Sequence, residues 1–128
     1  MGSAMGVNPD LVEEVTGWAM SVAKVPVWAK MTPNVTRIED PTSAALRAGA
    51  DGIAAINTIR SVLGVDLKSL RPEPCVEGYT TPGGYSCQAV KPIALRNCME
   101  IATLIKAEYP ERTLSGIGGV ETLSLIHI

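Results

Sequence analysis

The sequence predicts an α/β fold built on a parallel sheet: a partial (β/α)8 barrel of about three βα units, truncated at both ends. Three apolar runs that end in turn residues or glycines alternate with stretches of helical periodicity, in the order α-β-α-β-loop-α-β. Such alternation is typical of parallel sheets flanked by helices. A whole barrel needs about 250 residues, so this 128-residue chain supplies roughly half of one. A doubly wound sheet is the competing architecture, because periodicity alone does not separate the two.

The first predicted helix and strand occupy residues 8–31. Asn8-Pro9 has the pattern of an N-cap followed by proline at the first helical position. A strand is predicted over residues 25–31, and a turn over residues 32–34 ends it. The helix carries one apolar stripe, the pattern of a core-facing helix, which comprises Leu11, Val12, Val15, Trp18, Ala19 and Val22.

A second helix and strand follow. Asp40-Pro41 repeats the cap-plus-proline pattern and predicts a helix that runs to about Ala48 and stops at Gly49. The second strand is predicted over residues 53–58. The two strands begin one βα unit apart, roughly 30 residues, which fits a barrel.

Residues 59–90 break this rhythm, because prolines and glycines recur there and no periodicity is sustained. A loop of this length inside a compact domain is usually functional or disordered. Lys91-Pro92 then opens a third helix, before a third strand over residues 114–119 that glycines close. The helix residues predicted to face inward are Leu95, Cys98, Ala102 and Ile105.

Composition argues against several functional classes. The net charge is −2, so no basic field points to nucleic acid or to an anionic membrane. No apolar run approaches the roughly 18 residues of a membrane span. The cysteines, Cys75, Cys87 and Cys98, show no metal-ligand spacing, so we expect no metal site and reduced thiols in a cytoplasmic protein. His127, the only histidine, is assigned no role.

Three short signals close the three strands, at the carboxyl ends where barrel enzymes carry their chemistry. Lys30 ends the first strand, Asn57-Thr58 the second and Gly118-Gly119 the third. A lysine there can meet an anionic ligand atom. Asparagine offers a donor and an acceptor, which suits the imide and amide edge of a pyrimidine. Glycines leave backbone N–H groups free to approach a phosphate.

Each signal also has a plainer explanation. Taken alone, Lys30 can be a strand-end lysine that reaches solvent, and Asn57-Thr58 a strand-terminating turn. Turns need glycine anyway, so a glycine cluster is weak evidence by itself. The Gly-Gly-Tyr-Ser segment at residues 83–86 is equally a backbone cradle or an ordinary loop. The joint spacing of the signals favours an enzyme that binds a ring-shaped, phosphate-bearing ligand.

Together these motifs resemble the flavin-dependent barrel of the dihydropyrimidine dehydrogenases, especially their bacterial NAD-dependent catalytic subunits. Dihydroorotate dehydrogenases share the barrel and a similar lysine, Asn-Thr and glycine pattern. Long matches in a fixed order are far more specific than any one motif. The matching stretches are MGS (1–3), NPDLV (8–12), AKMTPN (29–34), GADGIAAINTI (49–59), AVKPIALR (89–96) and SGIGGVET (115–122).

The resemblance implies that FMN is the cofactor, that its reduced form delivers hydride to C6 of uracil or thymine, and that an acid protonates C5. Lys30 matches the lysine that contacts the flavin ring. Asn57 and Thr58 match the residues that bind the pyrimidine edge. Gly118 and Gly119 match part of the phosphate-binding site.

The resemblance also places a loop beside the flavin, which Gly83, Gly84 and Ser86 match. The family usually has a glycine after that serine, whereas this sequence has Cys87. We therefore expect the local backbone contacts at this position to differ from the family pattern.

The family's general-acid cysteine lies upstream of this chain, so no catalytic residue is predicted within it. The iron–sulfur clusters and the NAD(P)H site of the full-length family also lie outside, and an NAD(P)H-oxidising flavin and iron–sulfur subunit is the implied partner. We expect residues 1–122 to be a barrel fragment, inactive alone, and residues 123–128 to be a non-native tail. The alternatives are a dihydroorotate dehydrogenase-type FMN enzyme and a non-catalytic α/β binding fragment.

Overall fold

The computed structural model describes residues 5–122. The predicted tail with His127, and the MGS match, lie outside the described residues. The helices are α1 (Pro9–Val22), α2 (Glu39–Arg47) and α3 (Lys91–Glu108), with a 3-10 turn at Gln88–Val90. The strands are β1 (Trp28–Met31), β2 (Gly52–Ala55), β3 (Ile59–Ser61), β4 (Gly64–Asp66), β5 (Arg71–Glu73), β6 (Cys75–Val76), β7 (Tyr79–Thr80), β8 (Gly83–Tyr85) and β9 (Thr113–Gly116).

The main sheet is parallel, with the strand order β1-β2-β9, as the sequence predicts. One face packs against the helices and buries Met31, Ile53 and Ala55 in the core. Because successive strand residues point to opposite faces, the register row of Lys30, Ala54 and Ser115 lies on the other face. In a barrel, that second face is the inner one.

The first two helices begin differently from each other. Asn8 caps α1 as predicted, since its Oδ1 accepts from the backbone N–H groups of Asp10 at 2.9 Å and Leu11 at 3.3 Å. The predicted cap at Asp40 is wrong, because α2 already begins at Glu39 and Asp40-Pro41 lies inside its first turn. Proline is tolerated there, where backbone N–H groups have no intrahelical acceptor.

The inward faces of two helices differ from the predicted ones. The predicted apolar stripe of α1 is largely exposed, since Trp18 and Val22 expose 62% and 77% of their surface. The reason is that α1 packs chiefly against α2. On α3, Cys98 and Ile105 do lie inward, but Leu95 and Ala102 are exposed. A row shifted by about one residue has the same helical spacing, and the sheet buries that row, which contains Ala94, Asn97, Ile101 and Ile105.

The predicted loop over residues 59–90 contains regular structure that the sequence did not indicate. Three short antiparallel pairs form there, β3 with β8, β4 with β5 and β6 with β7. Their strands have only two or three residues, too few to show an alternating pattern. We call residues 59–85 the arm.

The second and third strands of the main sheet end three residues before their predicted limits. Sheet-like hydrogen bonds continue beyond those ends. Ile56 N–H donates to Ile117 O at 3.0 Å, and Asn57 N–H donates to Met31 O at 2.8 Å. The predicted site residues are therefore in loops, but in loops that the sheet holds.

Two observations concern functional classes. Within residues 5–122, no helix combines the length and the apolar character needed to cross a bilayer. In the same part of the chain, no three His, Cys, Asp or Glu side chains gather as a metal site.

Candidate functional site

Four of the predicted site residues line one cleft. The cleft has a volume of about 220 Å³ and lies between the carboxyl end of the parallel sheet and the base of the arm. Larger depressions occur in the arm and between the loop of residues 33–37 and the starts of α1 and α2, and none of the predicted site residues lines them. The lining residues of the cleft are Thr32, Asn34, Asn57, Thr58, Arg60, Pro82, Gly83 and Gly84.

Asn57 is held by its backbone and by one side-chain atom. Its N–H donates to Met31 O, and its Oδ1 accepts from Thr58 N–H at 2.9 Å. Its Nδ2 has no hydrogen-bond acceptor among residues 5–122, so two N–H donors and one lone pair of Oδ1 stay available. The side chain therefore presents mainly donors to the cleft, rather than an equal donor and acceptor.

Gly84 is required because Thr58 lies against it. A Cβ placed on Gly84 would stand 2.8 Å from Thr58 Cβ, a distance that real Cβ atoms avoid. Gly84 pairs with Arg60 in the antiparallel β3–β8 ladder. The neighbouring Gly83 has no atom within 4 Å of its Cβ position. The two glycines thus have different roles: Gly84 allows close approach, and Gly83 leaves space in the cleft.

Asn34 and Thr32 belong to the same cleft but were not predicted as site residues. Asn34 Nδ2 donates to Thr32 Oγ1 at 2.9 Å and to Thr58 O at 3.2 Å. Asn34 Oδ1 accepts from Arg60 N–H at 3.1 Å. The sequence predicts a turn over residues 32–34 and includes them in the family-matching stretch AKMTPN (29–34), without a site role for either residue. The Thr-x-Asn spacing, which allows a side chain to bind the backbone two residues on, was the available signal.

Lys30 lies apart from this cleft, on the inner face of the sheet. It is exposed, and its neighbours in the register row are the small residues Ala54 and Ser115. The described part of the chain provides no hydrogen-bond or ion-pair partner for its ammonium group. The small neighbours leave room for a ligand above the sheet, and Lys30 supplies a free positive charge there.

Gly118 and Gly119 lie against the start of α3. Both have positive φ angles, +123° and +72°. A Cβ on Gly118 would stand 2.8 Å from Ala94 Cβ, and one on Gly119 would stand 2.5 Å from Lys91 Cβ. No side chain caps α3, but its first N–H groups are already used, since Val90 N–H donates to Cys87 O at 3.2 Å, Lys91 N–H donates to Gln88 O, and Pro92 has no N–H. The backbone N–H groups of the glycine pair itself form a cradle that suits an anion.

Ser86 is exposed and lies outside the residues that line the cleft. The next residue, Cys87, has φ +69° and ψ −160°, a region that is essentially restricted to glycine. Gln88 Nε2 then donates to Glu121 Oε2 at 2.9 Å. The segment that leads into α3 is therefore tied to the loop that follows Gly119.

Residues 1–124 match the family described as dihydroorotate dehydrogenase. The chain belongs to the dihydroorotate dehydrogenase family. The predicted family resemblance is confirmed.

Relatives of this dihydroorotate dehydrogenase family member include two dihydropyrimidine dehydrogenases. The chain is 62% identical over 123 residues to the chloroplastic dihydropyrimidine dehydrogenase (NADP(+)) of Arabidopsis thaliana, covering 95% of this chain and 29% of that protein. It is 44% identical over 122 residues to the NAD-dependent dihydropyrimidine dehydrogenase subunit PreA of Escherichia coli (strain K12), covering 95% and 29%. It is 40% identical over 121 residues to the dihydroorotate dehydrogenase B (NAD(+)) catalytic subunit of Methanosarcina acetivorans, covering 94% and 36%.

A solved structure confirms the fold class. DHODH of Eimeria tenella, in complex with ferulenol, matches 90% of this chain with a TM-score of 0.64 and 22% sequence identity. The match covers 34% of that chain. The parallel sheet is thus part of a (β/α)8 barrel, and the doubly wound alternative is excluded.

Proposed function

We propose that this chain forms part of an FMN-dependent barrel that reduces the C5=C6 bond of uracil or thymine with electrons from NAD(P)H. The observation that carries the proposal is the convergence of Asn57 and Thr58 with the Gly83-Gly84 segment in one cleft at the carboxyl end of the parallel sheet. The names of the Arabidopsis and Escherichia coli relatives support the pyrimidine reaction.

The donors in the cleft suit a pyrimidine ring. Uracil presents two carbonyl oxygens with an N–H group between them along one edge, and a second N–H group beside C6. Asn57 offers the free N–H donors of its amide, and the Thr58 hydroxyl can donate or accept. At about 220 Å³, the cleft is below the roughly 300–1,000 Å³ of sites for drug-sized ligands. That size suits a single small ring.

The residues around the cleft fit FMN. Gly118 and Gly119 have positive φ angles and lie against the start of α3, and the cradle of their backbone N–H groups would hold the phosphate. Lys30 would place its ammonium group against the flavin ring on the inner face of the sheet. Gly83, Gly84 and Ser86 would line the side of the ring. Bound FMN supplies hydride-transfer chemistry, while the residues of this chain hold and orient the two rings.

Further components of the reaction lie on other segments or subunits. We assign the general acid, the iron–sulfur clusters and the NAD(P)H site to parts of the protein outside this chain. A partner subunit that oxidises NAD(P)H completes the proposal, in keeping with the word "subunit" in the name of the Escherichia coli relative. A cytoplasmic location stays a prediction.

A second candidate is dihydroorotate oxidation, and one observation favours it. Arg60 lines the cleft, and none of residues 5–122 provides a carboxylate partner for its guanidinium. A free guanidinium favours a carboxylate, which orotate has and uracil lacks. The Methanosarcina relative, a dihydroorotate dehydrogenase B catalytic subunit, is in line with this reading.

Calorimetric titration of the FMN-loaded full chain with uracil and with orotate tests the proposal. We expect tighter binding of uracil, and a loss of about tenfold in its affinity in Asn57→Asp, which keeps the acceptor for Thr58 N–H but removes the free N–H donors. Asn8→Asp makes the same chemical change at a helix cap and should bind like the wild type. Tighter binding of orotate would favour the second candidate. If neither ligand binds, the chain is a non-catalytic fragment.

A further inference from the structure

Thr32 is buried at the bottom of the cleft. Only 6% of its surface is exposed, yet it is one of the residues that line the cavity. Its Oγ1 accepts two hydrogen bonds, one from Asn34 Nδ2 at 2.9 Å and one from Asn34 N–H at 3.3 Å. Both donors come from the same residue, which fixes the hydroxyl from one side.

These two bonds decide how the hydroxyl can act. A threonine hydroxyl has one hydrogen and two lone pairs. Since Asn34 occupies both lone pairs, the hydrogen must point in the remaining direction. The described residues 5–122 contain no acceptor for it. A buried donor without an acceptor is costly, by roughly 1–3 kcal/mol, and a ligand oxygen in the cleft would remove that cost.

Asn34 is itself held by two further bonds. Its Nδ2 also donates to Thr58 O at 3.2 Å, and its Oδ1 accepts from Arg60 N–H at 3.1 Å. Asn34 therefore fixes the Thr32 hydroxyl relative to the loop that carries Asn57 and Thr58, and relative to the base of the arm.

We propose that Thr32 is a further binding residue, which donates its O–H to a carbonyl oxygen of the bound pyrimidine, and that Asn34 is the positioning residue that orients this donor. The inference rests on the proposed function, since it takes the pyrimidine as the occupant of the cleft. It adds a third polar contact to those of Asn57 and Thr58.

The test compares uracil affinities of the FMN-loaded full chain by calorimetry. Thr32→Val removes the hydroxyl at nearly constant shape and should weaken uracil binding about three- to tenfold, the range expected for one hydrogen bond. Thr32→Ser keeps the hydroxyl and should bind within about twofold of the wild type. Thr36→Val, the same change on an exposed residue of the same loop outside the cleft, should bind uracil as the wild type does.

Two further readouts separate a ligand contact from a structural role. Hydrogen exchange of the Arg60 amide should be unchanged in Thr32→Val and faster in Asn34→Ala, because Asn34 Oδ1 holds that amide. Sulfur is a weaker acceptor than oxygen. Thr32→Val should therefore lose less affinity for one of the two thiouracils, 2-thiouracil or 4-thiouracil, than for uracil, namely for the one whose sulfur replaces the carbonyl oxygen that Thr32 contacts.

Each outcome decides the matter. Weaker uracil binding with unchanged Arg60 exchange supports the inference. Wild-type affinity in Thr32→Val overturns it and leaves the proposed function intact, as does a loss that is equal for uracil and both thiouracils. If the wild type itself binds no uracil, the proposed function fails for this chain, and the inference fails with it.

Discussion

Gly119 lies directly against Lys91, such that a Cβ on the glycine would stand 2.5 Å from Lys91 Cβ and 3.0 Å from its Cα. The contact joins the loop after β9 to the first turn of α3. It places the backbone N–H groups of Gly118 and Gly119 beside the start of α3, where they can bind an anion.

Replacement of this glycine should damage the cradle. In Gly119→Ala, either the Lys91 backbone must move or residue 119 must leave its positive φ. We therefore expect a loss of about 1–3 kcal/mol of stability and weaker FMN binding. Urea unfolding and quenching of flavin fluorescence measure the two effects. Gly17→Ala is the matched control: its Cβ would meet no atom within 4 Å, and alanine should stabilise α1 by about 0.5–1 kcal/mol. Unchanged FMN affinity in Gly119→Ala would contradict the cradle.

The two glycines of β8 should respond differently to the same change. Gly84→Ala forces Thr58 aside, because the new Cβ would stand 2.8 Å from Thr58 Cβ. We expect uracil affinity to fall by about tenfold, the equivalent of one hydrogen bond of about 1.4 kcal/mol. Gly83→Ala meets no atom within 4 Å and should leave the position of Thr58 unchanged. Wild-type uracil affinity in Gly84→Ala would show that the position of Thr58 does not depend on Gly84.

Cys87 should be a stabilising position for glycine. Its φ of +69° with ψ of −160° costs a residue with a side chain roughly 1–3 kcal/mol. The extra freedom of glycine in the unfolded chain offsets roughly 0.5–1 kcal/mol of the gain. Cys87→Gly should therefore raise the free energy of unfolding by about 0.5–2 kcal/mol, measured in urea under reducing conditions.

Cys75→Gly is the control for this change, and the sign should reverse. Cys75 is in β6 and has no positive φ, so glycine there should cost about 0.5–1 kcal/mol. If both glycine variants lose stability to the same extent, the Cys87 backbone is not strained.

Cys98 should make stability depend on alkaline pH. Burial raises the pKa of its thiol above the ordinary value of 9.0, and a backbone hydrogen bond from Ile117 opposes the shift. Below pH 9.0, both the folded and the unfolded chain keep the proton, so the contribution to stability is fully present. As pH rises further, the unfolded chain loses its proton first, and the contribution declines until pH passes the raised pKa.

The difference in unfolding free energy between the wild type and Cys98→Ala isolates this effect, because the other ionisable groups cancel. Urea unfolding with reductant from about pH 7 to about pH 10 should show a constant difference that shrinks near the upper end. A difference that grows with pH would mean that the thiolate, not the thiol, is the form that the fold favours.

The sequence predicted the parallel sheet and the order of its elements, because strand and helix periodicities differ and glycine and proline mark their ends. It also predicted the Asn8 cap, whose partners are its own neighbours in the chain. It did not predict the inward face of α3, because two rows about one residue apart fit the same helical spacing, and the packing of α3 against the sheet decides which row is buried.

The sequence placed Lys30 and Asn57 at strand ends, and the structure puts Asn57 in the cleft and Lys30 apart from it on the inner face of the sheet; their roles stay predictions. Asn34 was not predicted, because its importance comes from contacts with Thr58 and Arg60, more than twenty positions away in sequence. The arm was missed for a similar reason: strands of two or three residues have no pattern of their own, and their partners stabilise them.

The most direct test of the account is a two-step NMR titration of the full chain, labelled with 15N, first with FMN and then with uracil. We predict that FMN shifts the amide signals of Gly118 and Gly119 saturably, and that uracil then shifts those of Asn57, Thr58 and Gly84. Saturable shifts confined to other residues, such as those that line the depression in the arm, or no shifts at all, would contradict a pyrimidine and flavin site at the carboxyl end of this sheet.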